Sequence, residues 1–201
     1  MLVRLALFPL VFGVVFFMLG LNEKKLADAS SQAPETISLK KLIDRGPEGN
    51  PNVILTDFQV CDNLVYQTST IAGQAVGSWS SVWVPIVPRG DLAVGILGAA
   101  APPRDVQAII FSKHVSNVQE VGAKLGVQNL RGMVTNRISS LNSKEKQFLQ
   151  KGYPGINFDR CLIIDEGREP ASSERISLYL AGGGLLVLIG LALLAKRFLL
   201  S

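Results

Sequence analysis

Apolar residues fill both ends of this chain without interruption, while between the ends they alternate with polar ones. Residues 5–21 (LALFPLVFGVVFFMLGL) and 178–195 (LYLAGGGLLVLIGLALLA) contain no charge. At ~1.5 Å of rise per residue, helices of this length span roughly 26 Å, enough for a bilayer core. Each run is apolar all round, unlike a surface helix, which keeps one polar face. Pro9 falls in the first turns of its run, where a missing N–H costs little. The pattern predicts an N-terminal transmembrane anchor over residues 1–21 and a polar tether over 22–35. An α+β domain over 36–170 and a linker over 171–177 follow, then a C-terminal transmembrane helix over 178–195 and a basic tail over 196–201.

Periodicity within the central stretch changes part-way. Leu39, Leu42 and Ile43 share a helical face that Gly46-Pro47 ends. Residues 53–60 and 64–70 read as strands joined by a Cys61-Asp62-Asn63 turn, with a loop over 73–77. A third strand, 79–87, contains Pro85 and abuts Pro88, which suggests an edge position or a strand end; Arg89-Gly90-Asp91 then turns into a fourth strand over 92–97. This half reads as a β-meander. After the Gly- and Pro-rich break at 98–103 come a strand at 107–111, a helix opened by Ser116 with Gln119, and a strand at 130–135. Val118, Val121 and Leu125 are expected on one face of that helix. A helix capped by Asn142 with Glu145 and a strand at 160–164 complete a β-α-β-α-β half. The expected fold class is therefore α+β, a meander followed by β-α-β-α-β, flanked by two single transmembrane helices.

Charge changes the picture of partners. The chain carries 20 Lys and Arg against 16 Asp and Glu. Every acid lies in the centre, whereas Arg4, Lys196 and Arg197 sit in the tails, so the surplus faces lipid headgroups. No basic stripe with interleaved aromatics points to nucleic acid. Cationic tails place both termini in the cytoplasm and the domain on the extracytoplasmic side, although Lys24, Lys25, Arg168 and Arg175 flank the domain side too. Ala27-Asp28-Ala29 offers the alternative of a cleaved signal peptide; the long apolar run, and the charges at Glu23, Lys24 and Lys25 ahead of that cut, favour retention as a signal anchor.

Candidate chemistry is sparse. His114, the only histidine, is flanked by Ser112 and Ser116 at a helix entrance, where a general base can sit but where a polar residue is also ordinary. Cys61 and Cys161 border strands, and read either as a disulfide closing a long loop or as buried thiols. Their spacing is not that of a redox pair, and one histidine with two separated cysteines makes a poor zinc site. Asp57, Asp62, Asp159, Asp165 and Glu166 lie near strand ends, where solvated turn carboxylates are common, and calcium-loop spacing is absent. Trp79 and Trp83, four apart, are expected on one side of a strand, as a ledge for a partner or packed in the core. Gly183 and Gly190, seven apart, mark a helix face suited to close packing.

No catalytic, cofactor or metal residue is assigned from these signals. They support a two-pass, membrane-tethered interaction or assembly domain without catalytic activity. Its expected partners are the lipid bilayer and a membrane or extracytoplasmic protein, and it needs no cofactor. The alternative is a membrane-bound hydrolase or redox factor with a site near His114 or Cys61. A small oligomeric channel or scaffold built on the glycine face is a weaker third reading.

Overall fold

A computed structural model describes residues 2–71, 74–90, 106–135 and 143–199. The expected strand at 92–97, the break at 98–103, Asp91 and the Asn142 cap lie outside the described residues. The chain divides into two compact units, residues 1–31 with 170–201, and residues 32–169.

The first unit is a pair of helices, α1 (Leu2–Asp28) and α5 (Ser173–Leu199). Both are long and apolar enough to cross a bilayer. They touch through glycine. A Cβ added to Gly183 would lie 2.6 Å from the Phe17 nitrogen, and one added to Gly13 would lie 2.7 Å from the Val187 nitrogen. Gly20 is pressed equally against Tyr179 and Leu180. Gly13 and Gly20 repeat at the same seven-residue interval as Gly183 and Gly190, and Gly13 and Gly183 meet backbone to backbone.

The second unit is built on one mixed sheet. Its strands are β1 (Glu35–Ser38), β2 (Asn52–Thr56), β3 (Phe58–Val60), β4 (Val65–Ile71), β5 (Gln74–Pro88), β6 (Ala108–Ser112), β7 (Leu130–Val134) and β8 (Leu162–Glu166). The order is β1-β2-β7-β8-β6-β5-β3, with β4 also on β5. This is not a meander. Strands expected as one run over 53–60 break at Asp57, whose left-handed φ of 53° turns the chain. Only that residue separates β2 from β3, yet they occupy opposite ends of a path through β7, β8, β6 and β5. The sheet must therefore curl until its ends approach each other, as in a small barrel. The Asp57 carbonyl accepts from the Arg89 N–H (2.9 Å), tying the corner to the end of β5.

Alternation then sorts side chains to two faces. Val53, Leu55, Phe58, Val82, Val84, Ile86, Ala108, Ile110, Leu130, Val134 and Ile164 line the inner face. There they meet α2 (Leu39–Arg45) through Leu39 and Leu42, and α3 (Val118–Glu120) with its π-helical continuation Val121–Leu125. Trp83, Val87, Ile109 and Ile163 face the other way, under α4 (Ser143–Gly152) and the segment holding Tyr153, Ile156 and Cys161.

Three local expectations change. The cap of α3 is Asn117, which accepts from the Glu120 N–H (3.0 Å), while the Glu120 carboxylate accepts from the Ser116 N–H (3.0 Å); the box is displaced one residue from Ser116/Gln119. Val118 accordingly leaves the core and is 62% exposed, while Val121 and Leu125 stay buried. Pro85 is interior to β5, not at an edge or a strand end. Its carbonyl accepts from the Cys61 N–H, so its missing N–H faces the gap where the chain leaves β3 for β4. Both strands pair end to end with the same side of β5 and run in the same direction, so Cys61-Asp62-Asn63 interrupts one continuing run rather than turning a hairpin.

Candidate functional site: an aromatic groove between β4 and α4

The sequence singles out tryptophans, a histidine and cysteines, and the fold separates them. Opposite Gln67 and Thr68, the β4–β5 register jumps from Ser81 to Trp79 and skips Ser80. That bulge reverses the parity of β5. Trp79 thus packs on the inner-face cluster, whereas Trp83 is buried on the opposite face against Phe111, with ring centroids 4.3 Å apart. The two indoles form no common ledge. Trp79 instead stacks on Tyr66, at 4.4 Å and 13° between planes.

Tyr66 belongs to a groove of about 480 Å³. One wall is the consecutive run Asn63, Leu64, Val65 and Tyr66; the other is Phe148 and Gly152 of α4. Both rings are open to solvent, Tyr66 by 50% and Phe148 by 63%. Of the adjacent Phe148 and Leu149 on α4, only Leu149 turns inward to the core.

Three contacts fix the width of the groove. The Tyr153 hydroxyl accepts from the Asn63 N–H (3.2 Å). Gly152 abuts Asn63 so closely that a Cβ there would lie 3.0 Å from the Asn63 Cβ. Gln67 donates through Nε2 to Glu145, a buried carboxylate of α4, and accepts through Oε1 from the Ser81 hydroxyl (3.1 Å). At the rim the Lys151 ammonium stands 5.8 Å from the Phe148 ring centre, within cation–π range. No family model, curated protein or solved structure matches the chain.

His114 does meet a carboxylate. Its Nδ1 lies 2.7 Å from Glu166 Oε2, and the same oxygen accepts from the Ser112 hydroxyl at 2.9 Å. The Ser112 oxygen in turn accepts from the His114 N–H at 3.0 Å. A nucleophilic triad needs the imidazole between serine and acid; here the acid lies between serine and imidazole. Ser112 is fully buried and its proton is committed to Glu166, so the arrangement holds the β6–α3 loop against the end of β8. Lys124 reinforces that loop by donating to the His114 carbonyl (2.8 Å) and to Glu120 (2.9 Å). The Lys124 hydrogen bond, with the Ser116 N–H, holds the Glu120 carboxyl below its usual range.

The remaining acids are scattered. Asp165 pairs with Arg168 (3.2 Å), Asp57 turns the corner, and Asp62 lies exposed beside the groove. Among the described residues, no three His, Cys, Asp or Glu side chains gather where one ion could bind.

Cys61 and Cys161 are buried thiols without a disulfide between them. Strands β5 and β6 intervene between β3, which Cys61 follows, and β8, which Cys161 precedes. Burial pushes the Cys61 thiol up to about 11, with Asp62 adding to the rise and a hydrogen bond from Tyr153 opposing it. In a Cys161→Ser background at pH 8, iodoacetamide is expected to alkylate Cys61 at least ~100-fold more slowly than free glutathione, because the thiolate is the nucleophile. The folded state keeps a proton that the unfolded chain releases near pH ~8.5, so stability contributed by this group falls as pH rises from there toward 11. Rapid alkylation of the native protein at pH 8 would contradict this reading.

Proposed function

We propose that the protein is a two-pass membrane protein whose central domain binds another membrane or extracytoplasmic protein through the β4–α4 groove and catalyses nothing. The observation that carries the reading is the groove itself. Two large aromatic rings remain in solvent while the walls that present them are held at fixed width by buried hydrogen bonds. Exposed rings on a preorganised frame suit protein recognition, because little side-chain freedom is lost on binding. Tethering at both ends raises the local concentration of membrane partners without high intrinsic affinity. The competing hydrolase reading is weakened by the order of Ser112, Glu166 and His114, and the redox reading by the high thiol pKa of Cys61.

The test is site-specific photocrosslinking in intact membranes. A benzophenone side chain replacing Phe148 is expected to give one discrete adduct; the same group at Val127, exposed in the same unit, is expected to give none. Identical patterns from both positions, or no adduct from either, would overturn the reading. The tail charges favour an extracytoplasmic domain. In a Val127→Cys variant an impermeant maleimide should then label intact cells, and labelling only after lysis would reverse the orientation.

A further inference from the structure

We infer that the groove takes an extended peptide segment of its partner, added as a further strand to the outer edge of β4, with apolar side chains on the Tyr66 face of that strand and acidic residues toward α4. The inference rests on the groove being the binding site proposed above, and it specifies how the partner is held.

The edge chemistry comes first. Among the described residues β4 pairs with β5 alone. Gln67 turns its carbonyl toward β5, where the Ser80 hydroxyl donates to it (3.2 Å). Main-chain groups alternate in direction along an antiparallel strand, so Val65 also faces β5, and Tyr66 turns its N–H and C=O outward. Folded proteins blunt such edges with charge or proline. β1 follows that practice, with Glu35 in its edge sequence. β4 does not: VYQTSTI has neither charge nor proline, and offers a ready template for pairing.

The shape of the groove selects the same mode. One wall is four consecutive residues leading into a strand and the other is a helix, so the space between runs along the strand. An extended segment laid there pairs its backbone with Tyr66 and sends alternate side chains toward α4, the arrangement of strand addition beside a helix. Tyr66 lies opposite Val82 and stacks on Trp79, so its exposed ring is on the face away from α4 and meets the apolar side chains of the segment.

Charge then narrows the partner. Lys151 stands over the groove-lining Phe148, and the one acid of α4, Glu145, is buried on Gln67. Asp62 stands at the opposite wall, near the Asn63 end. Acidic residues on the helix-facing side of the incoming segment meet Lys151 and avoid Asp62.

The experiment uses the full chain in nanodiscs and a seven-residue probe peptide alternating Glu with Val and Phe, together with a copy N-methylated at alternate amides. Methylation leaves the side chains in place and removes the backbone donors. The plain peptide is expected to slow hydrogen exchange at the Tyr66 amide, and the methylated copy to bind about tenfold or more weakly. Replacing Lys151 by Glu is expected to weaken the plain peptide about threefold or more and to lower its salt dependence. Equal binding of both peptides, or a Tyr66 amide already protected in the nanodisc without peptide, would overturn strand addition. A discrete Phe148 adduct alongside either result would leave the groove as a binding site and reject only this mode. Loss of the adduct would reject the site itself.

Discussion

Gly183→Leu is expected to force the two apolar helices apart, while Gly184→Leu, one residue along, leaves them paired. The contrast follows from what each Cβ meets. At Gly183 it would lie 2.6 Å from the Phe17 nitrogen and 2.9 Å from the Gly13 carbonyl oxygen, both main-chain atoms that cannot rotate away. At Gly184 it would meet nothing within 4 Å. Overpacking against a backbone costs on the order of 1–3 kcal/mol or more, and helix pairing in lipid has no hydrophobic driving force to offset it. Spin labels at Val11 and Leu191, both exposed on the helix pair, should give a narrow distance distribution in the parent and in Gly184→Leu. The distribution should broaden in Gly183→Leu, and Gly13→Leu should reproduce that loss. If Gly183→Leu and Gly184→Leu give the same distribution, the glycine contact does not hold the pair.

Those glycines also show how far the sequence could be read. The apolar runs were unambiguous because lipid demands length and the absence of charge, both countable. Gly183 and Gly190 mark a face in the sequence, and Gly13, which meets Gly183, belongs to a pair with Gly20 at the same spacing. A single helix does not say which stripe it faces. In the central unit the α+β character and the order of helices and strands after residue 106 followed from periodicity. What failed was connectivity. A break carried by Asp57 alone, with one positive φ, sends β2 and β3 to opposite ends of the sheet path, and nothing in the run 53–60 signals it.

The candidate site was hidden for a related reason. Whether Trp79 and Trp83 share a face depends on one skipped residue, Ser80, in the register. A bulge of that kind is set by the pairing partner and leaves no mark on the strand's own alternation. Tyr66 and Phe148 are each ordinary aromatics within their elements, and only the packing of α4 beside β4 brings them to one groove. Phe148 and Leu149 are adjacent, and an apolar stripe wide enough for both is ordinary, so the sequence does not say that only Leu149 turns inward.

Gly132→Val in β7 is expected to cost the central unit about 3 kcal/mol or more, at the upper end of overpacking effects. Glycine inside a strand ordinarily weakens it, so its presence between β2 and β8 asks for a cause. A Cβ at Gly132 would lie 2.8 Å from the Asp165 carbonyl oxygen and 2.8 Å from Ile164 Cγ2. Both atoms belong to β8, so a side chain there would have to displace that strand. Because the clash arises at the Cβ itself, Gly132→Ala should already show most of the loss, with the further step to valine adding little. Met133→Leu, the neighbouring buried position with volume nearly conserved, should cost under ~1.5 kcal/mol. Both tryptophans lie in the central unit, so urea titration followed by their emission reads this unit alone. A Gly132→Ala midpoint equal to that of the parent would mean that β8 yields freely, and the tight contact between β7 and β8 would lose its support.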